Sequence, residues 1–156
     1  MPAIEVRRYR REDLRALLDT RRSSIRGVAA RDYTPAQIDA WVQTSDDVEA
    51  QARRFGESLT WVALDGGAVA GFITLAGDGY LDCLYVHAEH QGRGIAGALV
   101  AALEAEARAR GLARIHSDVS LTARPFFERK GYTVVTPQQV TVNGQTYDNF
   151  RMEKRL

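Results

Sequence analysis

Between residues 84 and 97 the chain reads Leu-Tyr-Val-His-Ala-Glu-His-Gln-Gly-Arg-Gly-Ile-Ala-Gly, an apolar strand, a short polar turn and a glycine-rich start to an amphipathic helix. No other stretch narrows the fold as much. The first amides of a helix have no intrahelical partner and point along its axis, and glycines let an anion approach the backbone without meeting a Cβ. Such a turn builds an anion site, so a phosphate-bearing ligand is the first expectation.

Two nucleotide-binding readings fit this turn less well. Gly92, Gly94 and Gly97 spell the G-x-G-x-x-G of dinucleotide-binding proteins, with Asp118 downstream for a ribose contact. In that fingerprint the glycines follow the strand almost at once, whereas His87 to Gln91 intervene here. The stretch after Gly97 is also too short for the further βαβ units of a doubly wound sheet. A Walker loop would need Gly-Lys-Ser/Thr, which is missing. The run Gln91-Gly92-Arg93-Gly94-Ile95-Ala96, five residues after the strand end at Leu84 and Val86, resembles instead the Arg/Gln-x-x-Gly-x-Gly/Ala signature of the GNAT superfamily of acyl-CoA-dependent N-acyltransferases.

A chain of 156 residues suits one domain with its own core. The single cysteine, Cys83, excludes an internal disulfide. The start Met1-Pro-Ala-Ile-Glu lacks the basic and apolar runs of a secretory signal, so a cytoplasmic location is expected. No apolar window approaches the roughly 20 residues that span a bilayer. A net charge of +1 gives no overall reason to expect nucleic acid or an anionic membrane as partner. Charge is uneven, with nine arginines against four acids in residues 1–31 and six acids against two arginines in residues 32–57. Solvated helix faces explain this, and an acidic funnel for a cationic substrate is the alternative.

Apolar spacing orders the elements. Ile4 to Tyr9 alternates as a strand, and Leu14, Leu17, Leu18, Arg21 and Ile25 recur at helical spacing up to Gly27. Thr34-Pro-Ala-Gln37 is a capping box with proline at the first helical position, and a polar helical stretch follows from Asp46 to Phe55. Strands at 60–64, 68–75 and 80–86, parted by glycine turns, predict an antiparallel meander ending at the glycine loop. The helix after that loop ends before Gly111, and Arg114 to Val119 reads as a strand parallel to the one before the loop. A short helix from Thr122 to Lys130 stops at Gly131, and two last strands flank the hairpin signal Asn143-Gly144. The order is similar to the whole GNAT fold. The resemblance therefore implies a single-domain α/β (α+β) architecture over residues 1–156: a mixed central sheet, a splay after the Leu84–Val86 strand, and helices on both faces.

That resemblance further implies acetyl-CoA as donor, with its pyrophosphate on the amides of Gln91, Gly92, Arg93, Gly94, Ile95, Ala96 and Gly97. Its pantetheine arm would run along Leu84, Tyr85 and Val86, with the Val86 amide facing the thioester carbonyl. The acceptor would be an amine of a small molecule or peptide, and the protein a monomer or homodimer. Asp82 stands in the otherwise apolar run Tyr-Leu-Asp-Cys-Leu-Tyr-Val, where an isolated carboxylate is costly unless solvated or used. Period-two spacing puts it on one face with Tyr80, Leu84 and Val86, and Cys83 on the other. Relatives keep a base at the positions matching Tyr80 and Asp82, which makes Asp82 the candidate base; a structural aspartate bonded to backbone amides or an arginine is the alternative. Many relatives also carry a tyrosine acid in the last helix, in a pattern matched here at Ala123 and Gly131 but broken at Ser120 and Phe127. Phe127 has no proton to donate, so Ser120, Tyr80 or water would replace it, or the thiolate would leave unassisted. A non-catalytic acyl-CoA-binding or sensing domain is the competing function. His87, Glu89 and His90 lack a suitably spaced fourth ligand, so no metal is expected. Trp41, Trp61 and Tyr33 are candidates for core or for an acceptor pocket.

Overall fold

Glycine turns set the frame. Gly66 and Gly67 adopt φ of 60° and 88°, and Gly77 and Gly79 φ of 52° and 121°, values that side-chain-bearing residues rarely hold. In the computed structural model, which describes residues 3–156, these turns join β2 (Leu59–Asp65), β3 (Ala68–Ala76) and β4 (Tyr80–Val86) into the expected meander. Before it come β1 (Ile4–Arg8) and three helices, α1 (Leu14–Gly27), α2 (Pro35–Gln43) and α3 (Val48–Glu57). After it come α4 (Ile95–Ala109), β5 (Arg114–Ser120), α5 (Arg124–Arg129), β6 (Thr133–Val142) and β7 (Gln145–Arg155). Among the described residues one mixed sheet of seven strands runs in the order β1-β2-β3-β4-β5-β7-β6.

Local chemistry places the ends as read. Thr34 accepts from the Gln37 amide while the Gln37 side chain accepts from the Thr34 amide, closing the capping box. Asn143 and Gly144, at φ of 48° and 78°, turn β6 into β7.

Each face of the sheet is covered, as two layers of apolar side chains require. On one side Leu99, Val100 and Leu103 of α4 pack on Ala63, Ile73, Leu75, Ile115 and Val119. On the other, Leu17 and Leu18 of α1 and Phe55 of α3 pack on Val62, Phe72 and Cys83. A third cluster joins Ile25 of α1, Ile38 and Val42 of α2 and Tyr147 of β7. Tyr33 fastens these halves: its hydroxyl accepts from the Leu121 amide and donates to the Asp148 carbonyl.

The sheet has one weak seam. β4 and β5 run parallel, but their only register pair is Tyr80 with His116. Bonds from the His116 amide to the Gly79 carbonyl and from Ser117 Oγ to the Leu81 carbonyl complete that junction, and beyond it the strands part. The expected splay is therefore present. Gly79 sits at its vertex, where a Cβ would lie 2.4 Å from the Arg114 carbonyl oxygen.

Gly79→Ala should therefore destabilise the fold by at least about 2 kcal/mol, since it adds backbone strain to a steric clash. Thermal unfolding should show a fall of roughly 4–8 °C, and an unchanged midpoint would mean that the seam is not held at this point.

Candidate active site

The cleft opens where β4 and β5 diverge. It encloses about 870 Å³ and runs from the glycine loop, along β4, to the side chains of α1 and α2. Its glycine-loop end is built by backbone. Gly92 and Gly94 take φ of 73° and 78°, and nothing lies within 4 Å of where a Cβ would stand at either. Among the described residues the amides of Gln91 to Gly97 donate to no other group of the chain. Ile95 is buried in the core at 2% exposure, so only its amide faces this end. The Gln91 side chain donates to the Val86 carbonyl at 2.9 Å and ties the loop to the strand.

The Arg93 side chain is held by the sheet. Its guanidinium pairs with Asp65 of β2 at 2.8 Å, and Asp65 also accepts from His90. The buried carboxylate draws the side chain back to the sheet, leaving Arg93 to the anion site through its amide. A cation that the sequence reading missed stands beside the loop: Lys130 Nζ lies 3.2 Å from the position of a Cβ on Gly97. Only the packing of α5 on the start of α4 reveals it, because a lysine beside a C-terminal glycine reads as a helix end.

A bulge re-aims the middle of β4. Thr74 pairs with Cys83 and Leu75 with Leu81, leaving Asp82 without a partner on β3. One extra residue reverses the alternation. Leu81, Leu84 and Val86 consequently pack on the α4 side, while Cys83 and Tyr85 pack on the α1 side. Asp82 reaches α3 on that same side, where Arg54 grips it at 2.5 and 2.6 Å. The strict period-two reading is thus corrected: Asp82 shares a side with Cys83, and not with Leu84 and Val86. Hydrogen bonding to Asp82 holds the Arg54 guanidinium well above its ordinary range. Asp82 lines the cleft, and each of its oxygens retains a lone pair outside the Arg54 fork. Burial pushes the Cys83 thiol up, so it is a poor nucleophile.

The backbone of β4 faces two ways. The Cys83 amide bonds Thr74 and the His87 amide bonds Ala70, both on β3. Alternation then turns the amides of Leu84 and Val86 to the open edge. Tyr80 stands at the β4–β5 junction, opposite His116, and is not among the residues that line the cleft. Its hydroxyl donates to Asp118 at 3.0 Å and its ring stacks on His116. Burial, and then the Asp118 charge, push its phenol up, so it stays protonated and cannot be a base. Ser120 Oγ accepts from the Ala123 amide at 3.1 Å, which starts the turn into α5 and leaves its hydroxyl proton free. Phe127 is buried against Tyr132 and borders the cleft with a ring edge. Trp41 and Tyr85 form the far wall, whereas Trp61 packs on the α4 side under Arg8 and Tyr33 is structural.

A parting parallel seam, a helix-start anion cradle and a strand edge open between them define an acyltransferase of the GNAT kind. Residues 29–156 match the acetyltransferase (GNAT) domain family, and the chain belongs to that family. It is 33% identical, over 97% of its length and 96% of the relative's, to the uncharacterized N-acetyltransferase YafP of Escherichia coli (strain K12). A GCN5-related N-acetyltransferase structure from Rhodopseudomonas palustris superposes with a TM-score of 0.95 at 35% identity, covering 100% of this chain and 96% of that one. The PaiA N-acetyltransferase of Thermoplasma acidophilum, solved in complex with coenzyme A, shares the fold at a TM-score of 0.81 and 22% identity, covering 99% of each chain.

Among the described residues no group of three His, Cys, Asp or Glu side chains is placed to hold a metal, and no helix is long and apolar enough to cross a membrane.

The Arg54–Asp82 pair generates a prediction. In a thermal double-mutant cycle, Arg54→Met and Asp82→Asn should be coupled by about 1 kcal/mol or more, because either change alone strands the other partner near the sheet. Additive effects would mean that solvent replaces the pair at no loss.

Proposed function

We propose that this protein transfers an acetyl group from acetyl-CoA directly to the amine nitrogen of a small molecule or peptide, with residues 1–156 acting as one domain in the cytoplasm. One observation carries the reading: unpartnered helix-start amides and the unpaired edge of β4 open onto a single cleft. The amides of Gln91 to Gly97, with Lys130 alongside, suit a pyrophosphate. The Leu84 and Val86 edge suits an amide-bearing arm, which would add to β4 as a strand does.

Acetyl-CoA supplies an acetyl thioester. Three tasks are then left to the chain: freeing the amine of its extra proton, holding the acyl oxygen as it gains charge, and letting the thiolate go. Asp82 takes the ammonium proton, directly or through water, with Arg54 fixing the carboxylate. The Val86 amide holds the acyl oxygen. As the C–N bond forms the nitrogen becomes cationic, and as the C–S bond breaks that nitrogen gives up its second proton, which passes through Ser120 or water to the departing thiolate, or goes to solvent while the thiolate leaves as such, which an ordinary thiol pKa near 8.5 allows. Tyr80 orients Asp118, which borders the cleft. A buried, unreactive Cys83 supports direct transfer over a covalent enzyme intermediate. A net charge of +1 assigns no nucleic acid or membrane partner.

Phe127 favours a second reading, a domain that binds or senses acyl-CoA without turnover, since relatives with a tyrosine there have a proton donor that this chain lacks. An amine screen at fixed acetyl-CoA, read by release of free CoA thiol, separates the two. The first reading expects at least one amine to be turned over. Asp82→Asn should then cut kcat by about 10²-fold or more, with CoA affinity nearly unchanged. Wild-type rates in that variant would remove Asp82 from the chemistry, and saturable CoA binding with no acceptor turned over would favour the sensing reading.

A further inference from the structure

One charge stands inside the apolar stripe of α1. Arg21 falls at helical spacing between Leu17 and Ile25, and the fold buries it with them, at 4% exposure. A guanidinium is seldom buried so deeply unless a carboxylate compensates it. Among the described residues Arg21 pairs with none. Its Nη1 donates to Ser45 Oγ and its Nη2 to Thr44 Oγ1 at 2.6 Å, both neutral oxygens of the turn between α2 and α3. Its Nε is buried and, among the described residues, has no hydrogen-bond partner.

This guanidinium stands behind the far wall of the cleft. Its Cζ lies 5.3 Å from the centroid of the Tyr85 ring, and Tyr85 borders the cleft. So do Ser24 and Ile25, one turn further along α1, and Trp41, whose carbonyl accepts from the Thr44 hydroxyl that holds Arg21. The charge is felt at the wall: burial pushes the Tyr85 phenol up, and Arg21 opposes that push.

The acids of the cleft do not offset this charge. Among the described residues two carboxylates border the cleft, Asp82 and Asp118, and each has an arginine of its own: Arg54 grips Asp82, and Arg151 lies 3.8 Å from Asp118. Arg31, just beyond α1, borders the cleft and bonds only the Val28 carbonyl. The α1–α2 side of the cleft therefore carries an excess of positive charge, part of it behind an apolar wall, where a low dielectric lets it act over several ångströms.

We propose that Arg21 is a specificity-determining residue and that the acceptor is an amine carrying its own carboxylate, as an amino acid does. The inference rests on the reading of the cleft as a site of acetyl transfer. A lone ammonium or a diamine would enter against the charge of Arg21, whereas a zwitterion brings the negative charge that the wall lacks. Its amine then faces Asp82, and its carboxylate lies against the Tyr85 and Trp41 wall. Arg21 acts on that carboxylate by charge, through the wall, and touches no reacting atom.

Matched acceptors isolate the charge. At saturating acetyl-CoA, the common α-amino acids, their α-amides and the amines left when the carboxylate is removed are compared by release of free CoA thiol. In the wild type, kcat/KM for the best amino acid should exceed that for its amide by about tenfold or more, the scale of one charge acting through a partly screened interior. This ratio needs no variant to fold. Arg21→Met, which keeps an apolar stem over Tyr85, should erase most of the ratio and leave KM for acetyl-CoA nearly unchanged. Arg21→Lys keeps the charge and should keep most of the ratio, whereas a purely structural role would lower both acceptors alike. Calorimetry on the CoA complex reads the same difference without turnover, and N-acetylated amino acids should bind more tightly than their amides. A wild type that prefers the amide or the decarboxylated amine, or equal ratios in wild type and a folded Arg21→Met, would overturn the inference and leave acetyl transfer standing. Turnover of no amine would overturn acetyl transfer, and N-acetylated amino acids that bind no better than their amides would overturn the inference on their own.

Discussion

The parting of β4 from β5 after a single register pair is the constraint on which the rest of this molecule depends. Backbone amides and carbonyls inside a protein are almost always paired. A central strand that gives up its partner along one edge exposes such groups to a cleft and leaves them for a ligand to satisfy. The seam can open because it is held hard at its vertex, by the close approach of Gly79 to Arg114 and by Ser117 reaching the Leu81 carbonyl. It stays open because α4 and the α1–α2 pair each complete their own core and need no closure between them.

Charge follows from the same geometry. Near the opening, carboxylates are held by partners from other elements: Asp82 by Arg54 of α3, Asp118 by Tyr80 and Gln138, and Asp65 by Arg93 and His90. Each pair fixes the orientation of the side chains that form it. Asp82 is the clearest case, since the bulge in β4 turns it out of the strand's alternation and Arg54 then sets its orientation. At the loop, the result is a cradle made of backbone, with the Lys130 ammonium beside Gly97.

Much of this was legible in the sequence where the signal is local. The capping box at Thr34, the Asn143-Gly144 hairpin and the glycine loop each depend on neighbours a few residues apart, and each folds as read. The bulge was not legible, because Tyr-Leu-Asp-Cys-Leu-Tyr-Val alternates no differently with or without an extra residue, and only the register with β3 reveals it. Partners distant along the chain were equally hidden. Arg54 and Asp82 are 28 residues apart, and His90 and Asp65 are 25 apart. The pairing of the Arg93 guanidinium with Asp65 was hidden in the same way, and it forms because a buried carboxylate outcompetes solvent for a guanidinium.

Residue-resolved amide hydrogen exchange tests the central claim most directly. At saturating CoA the amides of Leu84 and Val86 should exchange markedly more slowly than in the free protein, together with those of Gly94 to Gly97, while those of the Asn143-Gly144 turn stay as they were. Unchanged exchange at Leu84 and Val86 in a protein that binds CoA would contradict the account, because the donor would then not lie along the open edge of β4.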